Sequence, residues 1–231
     1  MSAIPSTHPL DRPIWSALTT RQRDLAEGGP DARRFPVAIA PFADMVDMSS
    51  KSFAALGAML SGPEIAVLFT PDPVTVPPQF KLLLAETGEQ MVGAAAESSP
   101  PGVEIVRLGA ADVPAMMALV ELTKPGPFGA RTLELGTFLG IRVGGELVAM
   151  TGERMKPGNY TEMTAVCVHP DHRGRGYAQA LLSAVSRQIV ARGEIPFLHV
   201  FTNNHSAIAL YRRQGMDIRR SLHITVLQKQ G

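Results

Sequence analysis

The chain has 231 residues, of which 45% are hydrophobic and 19% are charged. That composition supplies enough apolar material for a packed core and excludes an intrinsically disordered chain. The formal net charge is only +1, which argues against bulk electrostatic binding to nucleic acid or to a membrane surface. The single cysteine, Cys167, excludes an internal disulfide and a zinc site built from several cysteines.

The apolar runs of the chain predict neither export nor a membrane span. Residues 1–8 lack a basic region followed by an apolar run, so no secretory signal is predicted. The longest clean apolar run, residues 65–69, is far below the roughly 20 residues that a membrane span needs. We therefore predict a soluble, cytoplasmic protein.

The two halves of the chain differ in composition. Residues 1–102 hold 13 of the 19 prolines and carry 7 Lys+Arg against 11 Asp+Glu, whereas residues 103–231 carry 15 against 10. The change falls at residues 97–102, whose polar residues, two prolines and glycine are typical of a linker. We place a domain boundary there, with a smaller α/β domain over residues 1–102 and a second domain over residues 103–231.

Patterns in the first half are weak. Apolar residues at helical spacing predict a helix over residues 49–60, capped by Ser49 or Ser50. No cluster of residues that could carry chemistry is found there, so we expect this half to cover one side of a substrate site or to help a dimer form. Strands are predicted over residues 34–39, 64–70 and 79–85, with an extended or looped segment over residues 71–78.

The second half shows a clearer mixed α/β pattern. Two consecutive glycines at 144–145 predict a tight hairpin turn between strands 139–143 and 146–153. A helix with one apolar face is predicted over residues 174–192, ending at Gly193. The remaining predictions are strands over 103–108, 160–168, 195–202, 216–219 and 222–227, and helices over 110–122 and 204–214.

A glycine-containing basic loop, Arg173-Gly-Arg-Gly-Tyr-Ala178, lies directly between a predicted strand and a predicted helix. Gly174 and Gly176 lack a Cβ, so the backbone can turn sharply and approach a ligand closely. The free N–H groups at the start of the helix then point at one place, and Arg173 and Arg175 add positive charge. The loop predicts a site for a phosphate or a pyrophosphate.

Comparison with known phosphate-binding sequence patterns narrows the kind of loop that residues 173–178 form. The Walker loop is absent, and the dinucleotide fingerprint fails at its third glycine. An Arg-Gly segment that binds RNA would be repeated and disordered, which this one is not. The pattern that fits at every specified position is Arg/Gln-x-x-Gly-x-Gly/Ala, filled by Arg173, Gly176 and Ala178.

Residues 103–231 resemble the GNAT superfamily of acyl-CoA-dependent N-acetyltransferases. Besides the loop, His169-Pro170 stands at the exit of the preceding strand, as is frequent in that family. The segment Asn204-His-Ser-Ala-Ile-Ala-Leu-Tyr-Arg-Arg-Gln-Gly-Met216 is similar to the family's Asn-x-x-Ala-x-x-Leu-Tyr-x-x-x-Gly-Phe element, with Met216 in place of Phe. The resemblance implies a GNAT fold with a mixed sheet. It leaves open whether the first half is a degenerate GNAT-like fold.

The resemblance also implies roles for individual residues. The strand before the loop would splay from its neighbour, and its backbone would bind the pantetheine arm of acetyl-CoA. Tyr211 would donate a proton to the leaving thiolate. It lies seven residues after Asn204, so that both share one helix face. The implied cofactor-binding residues are Val166, Cys167 and Val168 for pantetheine, Arg173, Gly174, Arg175, Gly176, Tyr177 and Ala178 for the pyrophosphate, and Asn204.

The general base is less well determined by the sequence. Many family members use a glutamate at the position of Glu162, and alternation along the strand puts it on one face with Val166 and Val168 unless a bulge intervenes. His199, in the next strand, is the competing candidate. His169 and His172 lack a third ligand nearby, so no metal site is predicted.

We therefore predict an N-acetyltransferase that moves acetyl from acetyl-CoA to a primary amine by direct attack in a ternary complex. The acceptor would be a small-molecule or peptide amine, and no nucleic-acid or membrane partner is expected. Residues 103–231 alone are expected to bind the cofactor, and homodimer formation is left open. The alternatives are a non-catalytic acyl-CoA-binding sensor on the same fold and an enzyme that transfers longer acyl groups.

Overall fold

The computed structural model describes residues 8–94 and 102–230, which form a large sheet, a small sheet and the helices packed on them. The helices are α1 (Pro13–Thr19), α2 (Ser50–Met59), α3 (Val113–Thr123), α4 (Tyr177–Ala191) and α5 (His205–Arg213). The strands are β1 (Glu27–Gly28), β2 (Ala32–Arg34), β3 (Ala43–Met45), β4 (Ile65–Thr70), β5 (Phe80–Val92), β6 (Ile105–Leu108), β7 (Phe138–Val143), β8 (Glu146–Glu153), β9 (Tyr160–Val168), β10 (Ile195–Phe201) and β11 (Asp217–Lys229).

The large sheet is mixed, as the sequence predicts. Its strand order is β4-β11-β5-β10-β9-β8-β7-β6, and β1, β2 and β3 form the small sheet. β9 and β10 run parallel, because helix α4 connects them and returns the chain to the same end of the sheet. The other neighbouring pairs of the large sheet are antiparallel.

The large sheet draws strands from both halves of the sequence. β5 lies between β10 and β11, and β4 pairs with the other edge of β11. Strands that precede the predicted domain boundary are therefore interleaved with strands that follow it. Most of the boundary segment, residues 97–101, lies outside the described residues, and the division into two domains stays a prediction.

Most predicted elements are confirmed, and the exceptions have local causes. The hairpin at Gly144 and Gly145 forms, with φ of 59° and 89°. The strand predicted over residues 34–39 is wrong, because the carbonyl of Pro36 accepts hydrogen bonds from the N–H groups of the third and fourth residues after it and closes a turn. The two terminal strands are one strand, β11, in which a register shift between Ile218 and Arg220 keeps the ladder intact.

Helices cover both faces of the sheet around β7. Leu139 packs with Leu181 and Val185 of α4, whereas its neighbour Phe138 packs with Met116 of α3. Successive strand residues point to opposite faces, so α4 and α3 lie on opposite sides. Aromatic residues of the first half extend the layer on the side of α3, where they pack on β4, β10 and β11.

Strand β9 carries the irregularity that shapes the centre of the sheet. Ala165 has a φ of +51°, and the pairing of β8 with β9 shifts register between Met150 and Gly152. β9 and β10 pair from Ile195 to Phe197 and no further among the described residues. Past that point β10 continues beside β5, so β9 and β10 diverge and leave a gap between them.

No helix within residues 8–94 and 102–230 is both long enough and apolar enough to cross a membrane.

Candidate active site

A cavity of about 550 Å³ opens where β9 leaves β10, a size typical of ligand pockets. Its wall is formed by the end of β9, the loop that follows, the start of α4, one face of α5 and the end of α3. Its lining residues are Thr123, Val166, Cys167, Val168, His172, Arg173, Gly174, Gly176, Tyr177, Ala178, Gln179, Asn204, Ser206, Ala207, Leu210, Tyr211 and Arg213.

The loop before α4 turns through two glycines in the left-handed region. Gly174 and Gly176 have φ of +75° and +78°, which a side chain would disfavour. A Cβ on Gly174 would meet nothing within 4 Å, so the backbone angle, not a close contact, requires glycine there. Gly176 is the residue before α4, and no side chain caps that helix.

The start of α4 therefore presents free backbone donors to the cavity. The first hydrogen bond into the helix runs from Ala180 N–H to the Gly176 carbonyl. Among the described residues, the N–H groups of Tyr177, Ala178 and Gln179 have no partner. Free N–H groups and the positive end of the helix dipole together favour an anion. Arg173 is exposed and lines the same cavity, while Arg175 lies in the same turn and is not part of the lining.

Helix α5 brings Asn204 and Tyr211 to the cavity wall together. The Asn204 side-chain oxygen caps the helix, because it accepts from Ala207 N–H at 3.2 Å. Tyr211 is 8% exposed, and its hydroxyl has no hydrogen-bond partner among the described residues. Burial raises the pKa of Tyr211 to about 12, so the hydroxyl keeps its proton at neutral pH and can donate it.

Cys167 lies on the cavity wall as a thiol. It is buried, and burial raises its pKa to about 11. The protonated thiol is a poor nucleophile, so Cys167 contributes a small apolar surface to the wall.

Glu162 is fully buried and is not part of the cavity lining. Arg154 donates to both of its carboxylate oxygens, each at 2.7 Å, and His199 Nδ1 lies 2.7 Å from one of them. Burial alone would raise the pKa of Glu162, but the charge of Arg154 and these hydrogen bonds outweigh it and lower the pKa to about 2. The assignment of Glu162 as general base stays a prediction.

The bulge in β9 separates Glu162 from the residues at the end of the strand. Met163, and not Glu162, shares the cluster of Val166 and Val168. The bulge therefore interrupts the alternation of side chains between the two faces of β9. Glu162 does not share a face with Val166 and Val168, although the sequence predicts that it would in a strand without a bulge. Glu162 faces the opposite side, where the Arg154 guanidinium lies 4.4 Å from the Phe42 ring.

His199 lies beside Glu162 and apart from the cavity lining. Its ring packs at 4.6 Å from Phe69, and its side chain is 4% exposed. Its Nε2 atom is 3.0 Å from the side-chain nitrogen of Gln90. The structure thus gathers Tyr211, Asn204 and most of the predicted loop residues at one cavity, and gathers Glu162 and His199 at a separate buried cluster.

Several cavity residues escaped the sequence reasoning. Thr123, at the end of α3, reaches the cavity only through the tertiary fold. His172 and Arg213 adjoin recognised residues, and their proximity to Arg173 and Tyr211 is the only signal that could have found them. Within the described residues, no group of three or more His, Cys, Asp or Glu side chains is arranged to hold a metal ion.

Known proteins match this chain in both sequence and structure. The family model described as FR47-like protein matches residues 138–223. The chain is 37% identical over 103 residues to N-alpha-acetyltransferase RimI of Mycobacterium tuberculosis, a match that covers 40% of this chain and 62% of the relative. An acetyltransferase of Yersinia pestis is 42% identical over 48 residues, which cover 20% of this chain and 33% of the relative. The chain thus spans less than two thirds of both curated relatives.

Solved structures match almost the whole chain. A GNAT-family protein from Novosphingobium aromaticivorans is 39% identical, with a TM-score of 0.87, and the match covers 97% of this chain and 100% of that one. A GCN5-related N-acetyltransferase from Kribbella flavida, at 16% identity and a TM-score of 0.65 over 94% of both chains, shares the fold.

The diverging strands, the glycine turn before α4 and these matches define the class of the protein, which is that of proteins with the GNAT fold. The chain belongs to the GNAT family.

Proposed function

We propose that the protein transfers an acetyl group from acetyl-CoA to a primary amine, with both substrates bound at once. The observation that carries the proposal is that the free N–H groups at the start of α4 and the protonated hydroxyl of Tyr211 lie on the wall of the same cavity. An anion site alone would suit many ligands, but the tyrosine adds a proton donor at a fixed position.

The described residues fit acetyl-CoA. The unpartnered N–H groups of Tyr177, Ala178 and Gln179, with Arg173 beside them, would hold the pyrophosphate through charge-assisted hydrogen bonds. Arg213, on the α5 side of the same cavity, would supply a second cation for the phosphates. The site therefore has donors on two elements for a ligand that carries several negative charges.

The end of β9 would bind the pantetheine arm. Because β10 has diverged, the β10-facing backbone groups of residues 166–168 have no ladder partner from that strand. A ligand with amide groups can pair with them as an added strand would. An N–H group of this stretch would also polarise the thioester carbonyl and stabilise the negative charge that develops on its oxygen.

The proposed reaction needs one proton to move. The amine nitrogen forms a bond to the acetyl carbon as the carbon–sulfur bond breaks, and the proton that nitrogen loses equals the one that sulfur gains. Tyr211 would donate its hydroxyl hydrogen to the departing sulfur, since burial keeps the hydroxyl protonated. The resulting tyrosinate would take up the proton that the amine nitrogen releases, which restores Tyr211 for the next cycle. A pure acyl-CoA sensor would have no need for such a donor at the cavity.

The test is release of free coenzyme A thiol from acetyl-CoA in the presence of a panel of amines, measured beside calorimetric binding. The panel includes a peptide with a free amino terminus, since the mycobacterial relative is named as an N-alpha-acetyltransferase. We expect binding, and thiol release that depends on an amine. Binding without release for any amine would favour the sensor, and absence of binding would remove both functions.

A further inference from the structure

A row of polar side chains crosses four strands of the large sheet beside the gap between β9 and β10. Glu162 on β9 contacts His199 on β10, and His199 contacts Gln90 on β5. His199 and Gln90 are also direct partners in the β10–β5 ladder. Arg219, at the register shift of β11, donates to the Gln90 side-chain oxygen at 2.9 Å. The row thus holds the strands in place at the point where β9 and β10 part.

Gln90 determines which ring nitrogen of His199 carries the hydrogen. Because the Gln90 oxygen accepts from Arg219, its amide nitrogen faces the other way and donates to the Leu10 carbonyl at 2.9 Å. The same nitrogen is a donor toward His199 Nε2, so that ring atom must accept and carries no hydrogen. In this arrangement the His199 ring carries its hydrogen on Nδ1, directed at Glu162. Its only lone pair on a ring nitrogen is already used.

The hydrogen-bond acceptor sites of the Glu162 carboxylate are likewise all occupied. One carboxylate oxygen accepts from Arg154 and His199, and the other accepts from Arg154 and from Met155 N–H at 3.3 Å. A carboxylate offers about four lone-pair sites, so all are occupied. A group in this state has no free site with which to take a proton from a substrate.

Charged groups surround the row of polar side chains and hold its hydrogen bonds in place. Arg154 faces Glu162 from the segment after β8, and Arg219 faces Gln90 from β11. Beyond them, Asp11 pairs with Arg219 and with Arg220. Phe42, Phe69 and Phe197 pack against the Arg154 and His199 side chains and complete the enclosure.

The cavity itself offers no carboxylate. Among the described residues that line it there is no Asp or Glu, and its imidazole, His172, lies in the phosphate-binding turn beside Arg173. Resting on the proposed function, we infer that the acceptor is a weakly basic primary amine that arrives already unprotonated, such as the α-amino group of a peptide or amino acid. Glu162 and His199 position the strands and take no proton from it.

The difference between amine classes is large enough to measure. An α-amino group has a pKa of about 7.7–8.0, whereas a lysine side chain has one of about 10.4. At pH 7.5, roughly a third of the former but only about one in a thousand of the latter is unprotonated. An enzyme without a base would therefore strongly favour the α-amine near neutral pH, whereas one with a base could use both.

Two matched peptides test the inference with the intact protein. The first peptide has a free amino terminus and no lysine. The second has a capped terminus and one residue replaced by lysine, and is otherwise identical. Thiol release from acetyl-CoA gives kcat/KM for each between pH 6.5 and 10. We expect at least a tenfold preference for the α-amine peptide at pH 7. We also expect the rate with the α-amine peptide to rise tenfold per pH unit and to level off near its pKa of about 7.7–8.0, whereas the rate with the lysine peptide should still be rising at pH 10.

The opposite result is equally clear. If kcat/KM rose and levelled off over the same pH range for both peptides, this rising limb of the pH profile would belong to a base on the enzyme. That result would overturn the inference and leave the proposed function intact. No thiol release with any amine would remove the proposed function, and the inference with it. Equal use of the lysine peptide at pH 7 would also overturn the inference.

Two further measurements separate the role of Glu162 and His199 from that of the amine. Glu162→Gln should leave the position of either limb unchanged, because the limb belongs to the amine. If that variant fails to fold around the unpaired Arg154, nitrogen NMR of His199 in the wild-type protein replaces it. We expect the ring hydrogen on Nδ1 and an Nε2 without hydrogen at the pH of the assay. A hydrogen on Nε2 would contradict the inference.

Discussion

The protonation states of three buried side chains have two different physical causes. Tyr211 and Cys167 lie at the cavity, and Glu162 lies in the buried cluster with Arg154 and His199. Burial without a charged partner raises the pKa of Tyr211 to about 12 and that of Cys167 to about 11. Glu162 is buried more completely, but Arg154 and His199 lower its pKa to about 2. Paired charge thus decides the state of Glu162, whereas desolvation decides that of Tyr211.

Tyr211→Phe tests the role of the buried hydroxyl. The substitution keeps the ring and removes only the donor, so we expect kcat to fall by about 10²–10⁴-fold, the range for a general acid. Affinity for acetyl-CoA should hardly change, because the lost interaction is made in the transition state. The assay is thiol release with the best amine of the panel, beside calorimetric binding of acetyl-CoA.

The matched control is Tyr160→Phe. The Tyr160 hydroxyl contacts His8 at 3.1 Å and does not line the cavity, so this variant should retain wild-type kcat. Wild-type activity in Tyr211→Phe would leave Tyr211 as a packing residue and would remove the proposed proton donor.

Arg213→Gln tests the second cation of the cavity. Arg212 and Arg213 are both exposed on α5, but only Arg213 lines the cavity. Losing a charge-assisted hydrogen bond at an exposed site costs about 1.5 kcal/mol, so calorimetry should show acetyl-CoA binding weakened about tenfold. Arg212→Gln should bind as the wild type does. Equal affinities in the two variants would show that Arg213 does not contact the ligand.

At the scale of single elements, the site depends on interruptions of regular structure. The bulge at Ala165 turns Val166 and Val168 toward the cluster of α4. The left-handed glycines after β9 then turn the chain into the uncapped start of α4. An unbroken strand and a capped helix would be locally more regular and would leave neither a gap nor free N–H groups.

Helix α5 combines a structural cap with a cavity residue at Asn204. Asn204→Ala removes the cap and should lower the free energy of unfolding by about 1 kcal/mol, whereas Asn204→Ser keeps a capping oxygen and should cost much less. Both variants lose the side-chain amide. Urea denaturation measures the first effect, and calorimetry with acetyl-CoA measures the second. If Asn204→Ser binds acetyl-CoA like the wild type, the amide does not contact the ligand.

At the scale of the whole molecule, the first half completes the sheet on which the site is built. β5 separates β10 from β11, and β4 covers the other edge of β11. The Gln90 side chain on β5 also contacts the His199 ring on β10 at 3.0 Å. The residues before the predicted boundary thus stabilise the strands that carry the site, although none of those described lines the cavity.

A fragment of residues 103–231 tests whether that dependence is essential. Without β4 and β5, β11 loses both of its neighbours and β10 loses one, which exposes backbone groups and apolar faces. The sequence alone predicts that this fragment binds the cofactor, but the interleaved strands reverse that expectation. We therefore expect no cooperative thermal unfolding transition and no calorimetric binding of acetyl-CoA, in contrast to the full chain. A fragment that unfolds cooperatively and binds acetyl-CoA would establish the two-domain division instead.

The sequence by itself determined the features that depend on neighbours along the chain. The loop from Arg173 to Ala178, the hairpin at residues 144–145 and the seven-residue spacing of Asn204 and Tyr211 are local patterns, because turn angles and helical period are set within a few residues. These patterns located the anion-binding turn and one face of the cavity. They also supported the mixed α/β fold and the family, which the comparisons confirm.

The tertiary structure decided what depends on distant partners. Whether Glu162 has a free lone pair depends on its partners Arg154 and His199, and on Gln90, which contacts His199. His199 lies 37 residues from Glu162 along the chain, and Gln90 lies 109 residues from His199. No local pattern reports such contacts. The bulge at Ala165 and the place of β5 in the sheet likewise follow from pairing between strands, whose register is fixed only when the strands meet.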